Sequence, residues 1–268
     1  MLIGIRHQTR YLYNRPVTYS LQRLHLTPSD TAAQKVMSWA IEAPGVEQAL
    51  SYVDCFGNQT HLISQSGLHE EVRIIARGTV MTEDRAGVLP HVPGPVPDAL
   101  YLRQTPATEA NAAIVALTQA LDGLAGLELL HGLMNLVRDR IDYETGVTHA
   151  HTTAGEALAG GRGVCQDHAH VFITAARHCG VPSRYVSGYL LLEGNDFAEA
   201  GHGWAESLVP GLGWVGFDCA NRVCPTDRYV RLCAGLDARS VTPVAGTRRG
   251  GDSERLAVEV EVMEAQQQ

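Results

Sequence analysis

Residues 161–180, GRGVCQDHAHVFITAARHCG, place Cys165, three histidines and Asp167 in one short run. Ala169, Phe172, Ile173 and Ala176 recur at i, i+3, i+4 and i+7, the apolar stripe of a helix. The spacing predicts a helix over 167–179, the third of the chain, with Gly180 just past its end and Pro182 beyond. Cys165 stands at its start, after Gly161 and Gly163, which let the backbone turn tightly and leave the sulfur reachable. A thiol there meets the positive end of the helix dipole and unpaired N–H groups, and both favour the thiolate. Three readings compete: an inert buried cysteine, a metal ligand, or a nucleophile. Cys165 and His168 have ligand spacing, but His168 and His170 point about 200° apart on a helix, so only two ligands converge.

A nucleophilic cysteine needs a base and a group that orients it. Residues 201–221, GHGWAESLVPGLGWVGFDCAN, supply both. His202 opens one predicted strand, Asp218 closes the next, and the connection VPGLG between them is short. Antiparallel strands joined in this way set the start of the first beside the end of the second, so His202 and Asp218 become neighbours. SRYVSGYLLL (183–192) precedes them as a further strand.

Upstream, the first 86 residues read as β structure. IGIRHQTRYLY alternates, with Ile3, Ile5, His7, Thr9, Tyr11 and Tyr13 on one face. Asn14-Arg15-Pro16 signals a turn, and QRLHLTP and SWAIEA are short strand candidates. YVDCFGNQTHLI predicts a hairpin turning near Gly57-Asn58, and EEVRIIARGTVM alternates again. The expectation is an antiparallel sandwich or barrel over 1–86. Residues 87–106 hold five prolines and read as a linker or extended crossing segment. Helices are predicted over 106–122, started by Thr105-Pro106, and over 126–141. At the end of the chain, RLAVEVEVM alternates as an edge strand would. The whole predicts an α+β fold, with a catalytic unit over 107–268.

The chain has 268 residues and a formal net charge of −8. No basic stripe is present, and no run approaches the ~18 apolar residues of a membrane span, so neither nucleic acid nor membrane is an expected partner. The N-terminus lacks a signal peptide pattern, so the expected compartment is the cytoplasm and the six cysteines are expected to be free thiols. Cys219 and Cys224 have no matching second pair, and no metal or cofactor is expected.

GRGVCQDHAHVFITAARHCGVPSRYVSGYL, GHGWAES and GWVGFDCAN resemble the transglutaminase-like superfamily, and more narrowly its bacterial transglutaminase-like, cysteine-protease-like group. YNRPVTYSLQRLHLTP and VDCFGNQTHLI resemble that group's N-terminal β domain. The resemblance implies a papain-like core of helices on an antiparallel sheet, with Cys165 as nucleophile, His202 as general base and acid, and Asp218 as the orienting carboxylate. Two departures stand out: Gly203 follows the histidine where Ala is common, and Cys219-Ala220-Asn221 replaces the usual Pro-Thr-Asn. The implied chemistry is acyl transfer from a peptide or protein amide through a thioester. Water as acceptor gives a peptidase or amidase, an amine gives a transglutaminase, and the triad is the same for both. A binding module of the same fold is the non-enzymatic alternative. Trp204, Tyr189 and Trp214 are candidate substrate contacts that shield the thioester, with core packing as the alternative role for each.

Overall fold

A computed structural model describes residues 1–192 and 201–265. The chain opens with β1 (Leu2–Thr27), β2 (Gln34–Glu42), β3 (Leu50–Val53) and β4 (Gln59–Thr82). The alternation read in the first strand holds: Ile3, Ile5, His7 and Thr9 are buried, while Arg6, Gln8 and Arg10 are not. β3 and β4 form the expected hairpin, with Val53 opposite Gln59. Its turn is tied by Asp54, whose Oδ1 accepts the N–H groups of Phe56 and Asn58.

One expected turn is absent. Asn14-Arg15-Pro16 lies inside β1 as a bulge, where pairing with β4 shifts between Leu12 and Val17. Proline cannot donate to a ladder, so an interruption of pairing suits it as well as a turn does. QRLHLTP is accordingly the far end of the same long strand.

β5 (Val88–Leu89) comes from the proline-rich stretch. Then follow α1 (Ala112–Gln119), α2 (Gly126–Arg140), β6 (Asp142–Tyr143), α3 (Ala154–Gly160), β7 (Arg162–Gly163) and α4 (Cys165–His178). The helix over 167–179 is therefore the fourth, not the third, and Cys165 is its first residue. α3 is only seven residues long, too short for a visible apolar period. Its capping box is legible nonetheless: Thr153 Oγ1 accepts the Glu156 N–H at 3.2 Å while Glu156 accepts the Thr153 N–H at 2.9 Å. α1 starts later than expected because Asn111 caps it, accepting the Ile114 N–H at 3.0 Å. Thr105-Pro106 instead begins a separate 3₁₀ turn.

Beyond α4 lie β8 (Ser183–Leu190), β9 (His202–Val209), β10 (Gly213–Phe217), β11 (Tyr229–Gly235), β12 (Val244–Gly250) and β13 (Glu254–Glu264). A five-stranded sheet runs β11-β8-β9-β10-β5, with all its pairings antiparallel. α4 packs on one face of it, and Phe172 stacks on Phe217 of β10 at 5.1 Å between ring centres. The proline-rich stretch is thus built into this sheet: Leu89 pairs with Trp214, and buried Tyr101 stands edge-on to the Trp214 ring at 4.9 Å.

The second sheet is six-stranded, in the order β12-β1-β4-β2, with β13 also on β1 and β3 on β4. The last two strands of the chain therefore complete the N-terminal sheet, and a catalytic unit running unbroken over 107–268 does not describe the strand pairing. The physical cause lies in β1: its free edge is long, and β13 covers Ile3 to Tyr13 while β12 covers Val17 to Leu24. One apolar core, from Ile3 and Ile74 to Phe172 and Phe217, joins both sheets. His7 Nδ1 meets the Tyr189 hydroxyl at 3.0 Å across that junction.

Candidate active site

Cys165 is half-buried and opens α4 after the β7 strand. The turn before it is shaped by Asp167, whose Oδ2 accepts the Val164 N–H at 2.8 Å and the Thr148 hydroxyl at 2.7 Å. Gly163 has a steric reason: a Cβ there would lie 2.6 Å from Asp167 Oδ2. The carboxylate of Asp167 therefore caps the helix. It fixes the backbone that presents Cys165 and leaves the N–H groups of the first turn pointing at the sulfur's surroundings.

His202 and Asp218 meet as the hairpin register requires. Phe217 pairs with Ala205 and Gly188 with His202, which sets the end of β10 beside the start of β9. His202 Nε2 donates to Asp218 Oδ2 at 2.6 Å. Cys165 also acts on the ring, and with Nε2 engaged by the carboxylate the nitrogen left for the sulfur is Nδ1. Burial disfavours the charged ring, but the hydrogen bonds and negative charges of Asp218 and Cys165 outweigh it and raise the His202 pKa to about 10. Asp218 is 1% exposed. Burial pushes its pKa up, and the bonds from His202, Asn221 and Tyr229 more than reverse this, holding it below the ordinary carboxylate value.

Two partners of Asp218 are absent from the sequence reading. Asn221 donates through Nδ2 to Oδ2 at 2.7 Å and through its backbone N–H to Oδ1 at 3.2 Å. Tyr229, the first residue of β11, donates its hydroxyl to Oδ2 at 2.8 Å. Asn221 had a local signal, an amide three residues after the carboxylate. Tyr229 had none, because its approach depends on β11 pairing with β8.

The other candidates fall into distinct places. Trp204 is 2% exposed and lies near-parallel to the His202 ring at 6.3 Å, edge-on to Tyr229 at 5.4 Å. It walls the imidazole from inside the protein. Tyr189 and Trp214 are not brought to Cys165, His202 and Asp218. Tyr189 is 1% exposed and bonded to His7, and Trp214 carries the Arg184 guanidinium 3.8 Å above its ring. Both are core residues: alternation along β8 turns Tyr189 to the face opposite His202, and Trp214 stands at the far end of β10 from Asp218. Gly203 is explained by Tyr185 of β8, whose hydroxyl stands 2.0 Å from where a Cβ would be.

Cys219 is buried, and burial together with Asp218 pushes its thiol pKa well above the ordinary value, so it is not a competing thiolate. Cys224 is raised by burial as well. His168 is held between the carbonyls of Ile141 and Val164, each at 2.9 Å, and His170 accepts the Ala238 N–H at 3.1 Å. Among the described residues no three His, Cys, Asp or Glu side chains group as a metal site. No described helix is long and apolar enough to cross a membrane.

The chain is 27% identical over 270 residues to an uncharacterized protein of Mycobacterium leprae, covering 96% of each. An uncharacterized protein of Mycobacterium tuberculosis is 26% identical over 269 residues, covering 90% of this chain and 86% of its own. In fold, the chain is similar to a Cytophaga hutchinsonii structure named "Putative Cysteine Protease", with a TM-score of 0.77 and 17% identity, over 100% of this chain and 92% of the other. Residues 115–219 match the transglutaminase-like superfamily, and residues 3–81 match the bacterial transglutaminase-like N-terminal region. With the strand–helix–strand frame and both matched regions in one chain, this protein belongs to the transglutaminase-like superfamily and carries that superfamily's bacterial N-terminal region.

Proposed function

We propose that the chain is a thiol-dependent acyl-transfer enzyme acting on amide bonds, with water as its main acceptor: a cysteine peptidase or amidase. One observation carries the reading. A half-buried imidazole is held 2.6 Å from a buried carboxylate, and a helix-initial cysteine acts on the same ring. The pair supports a thiolate beside an imidazolium.

In the proposed reaction the Cys165 sulfur attacks the amide carbon and a C–S bond forms. The carbonyl oxygen takes the negative charge against the N–H groups that open α4. As the C–N bond breaks, His202 gives its proton to the departing amine. Water then attacks the thioester, His202 takes a proton from it, and the C–S bond breaks to release the acid. An amine in place of water would yield a new amide by the same steps, so the triad alone is neutral between the two acceptors. Water is the acceptor always present. Asp218 keeps the imidazole in the required tautomer and balances its charge.

The test is iodoacetamide alkylation across pH, read by peptide mass spectrometry, on wild type and His202→Ala. Cys165 should react faster than exposed Cys55 at pH 6, and His202→Ala should remove that advantage. If Cys165 and Cys55 react alike in wild type, the reading fails. Glutamine peptides offered with and without a fluorescent primary amine then measure hydrolysis against transfer.

A further inference from the structure

β11 is the outer strand of the five-stranded sheet, and among the described residues its strand partner is β8 alone. An outer strand leaves a row of N–H and C=O groups unpaired. Here two side-chain amides of the N-terminal region take them. Gln34 Oε1 accepts the Arg231 N–H at 2.8 Å, and Gln34 Nε2 donates to the Arg231 carbonyl at 2.8 Å. Asn58 treats Ala234 in the same way: Oδ1 accepts its N–H and Nδ2 donates to its carbonyl, each at 2.8 Å. Each amide thus copies the paired bonds of a neighbouring strand. Pairing with β8 shifts between Arg231 and Cys233, and this turns residues three apart, rather than two, to the outer edge.

Both amides are buried and themselves fixed. Gln34 Nε2 also donates to the Ser29 carbonyl at 2.8 Å, and Asn58 Nδ2 to Asp54 Oδ2 at 2.9 Å. The Thr82 hydroxyl, at the end of β4, donates to the Asp227 carbonyl just before β11. The N-terminal region therefore grips residues 227–234 through Thr82, Gln34 and Asn58. The strand so held begins with Tyr229, whose hydroxyl reaches Asp218 Oδ2 at 2.8 Å. Tyr229 is buried and packs edge-on against Trp204 at 5.4 Å, so packing fixes where that hydroxyl points. Burial and the carboxylate push the phenol pKa up, so the hydroxyl keeps its hydrogen and donates.

We propose that the N-terminal region is part of the acyl-transfer site: Gln34, Asn58 and Thr82 brace β11 so that Tyr229, a positioning residue, holds the Asp218 carboxylate in line with His202. The inference rests on the acyl-transfer reading above and adds to it the source of the carboxylate's orientation. Asn221 grips Asp218 from three residues away and belongs to the same loop. Tyr229 reaches it from a separate strand, and so ties the His202–Asp218 bond to the braced edge.

The experiment follows the Nε2 proton of His202, which sits in the 2.6 Å bond to Asp218. Its NMR signal, in protein with isotope-labelled histidine, is identified by its loss in His202→Gln. Its exchange with water is then compared at one pH in wild type, Tyr229→Phe, Gln34→Met and Val72→Ala, with unfolding temperatures taken alongside. Tyr229→Phe removes a hydrogen bond to a charged group and should speed exchange about tenfold. Gln34→Met keeps the bulk, loses the brace and should speed exchange by a smaller factor. Val72→Ala takes apolar bulk from the core of the N-terminal region and none of the bonds to β11, so it should lower the unfolding temperature and leave exchange at the wild-type rate. If Gln34→Met does not fold, Thr82→Val, which removes one hydroxyl, takes its place. Exchange at the wild-type rate in Tyr229→Phe, or equal acceleration in Val72→Ala and the brace variant, would overturn the proposal. A signal missing from wild type means that the His202–Asp218 bond is not formed, and the acyl-transfer reading falls, taking the brace with it. A signal present in wild type and indifferent to the Tyr229 and brace variants sinks the brace alone.

Discussion

Replacing Asp218 by Asn tests the charge state of the site without changing its shape. The carboxylate receives four donors: His202 Nε2 at 2.6 Å, Asn221 Nδ2 at 2.7 Å and the Tyr229 hydroxyl at 2.8 Å on Oδ2, and the Asn221 N–H at 3.2 Å on Oδ1. An Asn side chain has one acceptor oxygen. Seated at the Oδ2 position it keeps three donors, but its amide group then faces the Asn221 N–H, donor against donor. That leaves one buried donor unpaired, at about 1–3 kcal/mol, and weakens the bond to His202 from charge-assisted to neutral, about 1 kcal/mol more. The sum is about 3 kcal/mol, which for a chain of 268 residues is about 6 °C in unfolding temperature.

The pH dependence carries the stronger test. Asp218 titrates below its ordinary value in the folded protein, so its contribution is present above about pH 4 and is lost as pH falls further. His202 is raised from 6.5 to about 10, so its contribution is full below pH 6.5 and drains away as pH rises towards 10. The gap between wild type and Asp218→Asn should therefore be widest near pH 5, narrower at pH 8, and smallest above pH 10. Calorimetric scans of both proteins at these three values give the answer. A gap that is the same at pH 5 and pH 10.5 would refute the charged His202–Asp218 pair.

Glu206 is 3% exposed, with Arg184 on one oxygen at 2.6 Å and Arg231 on the other at 3.1 Å. Glu206→Gln leaves two guanidinium groups without their counter-charge and should cost about 3–5 kcal/mol, a drop of about 6–10 °C by the same scans at neutral pH. Deleting residues 252–268 removes the strand that pairs with Ile3 to Tyr13. The truncated chain should aggregate or lose protection from proteolysis in its first strand, which limited proteolysis with mass spectrometry reads directly; a stable, protected first strand would mean that β13 is dispensable.

Much of the site is legible because it depends on short-range rules. The helix at 165–178 follows from an apolar period, and Cys165 falls at its start because Gly161 and Gly163 bar an earlier one. His202 and Asp218 converge because a hairpin with a short connection fixes its own register. The α+β class and the hairpin at Asp54–Asn58 are local in the same sense. α3 shows the limit of periodicity, since a helix of two turns has no measurable period and only its capping box betrays it.

The sequence by itself determined most strands, the longer helices and the meeting of His202 with Asp218, because period, capping and hairpin register act within about twenty residues. Tertiary structure alone decided that β12 and β13 return to β1, that Tyr229 donates to Asp218, that Tyr189 and Trp214 are buried away from the site, and that Tyr185 occupies the space above Gly203. Each of these pairs residues from strands whose partner is chosen by edge exposure and burial, quantities that exist only once the sheets have formed.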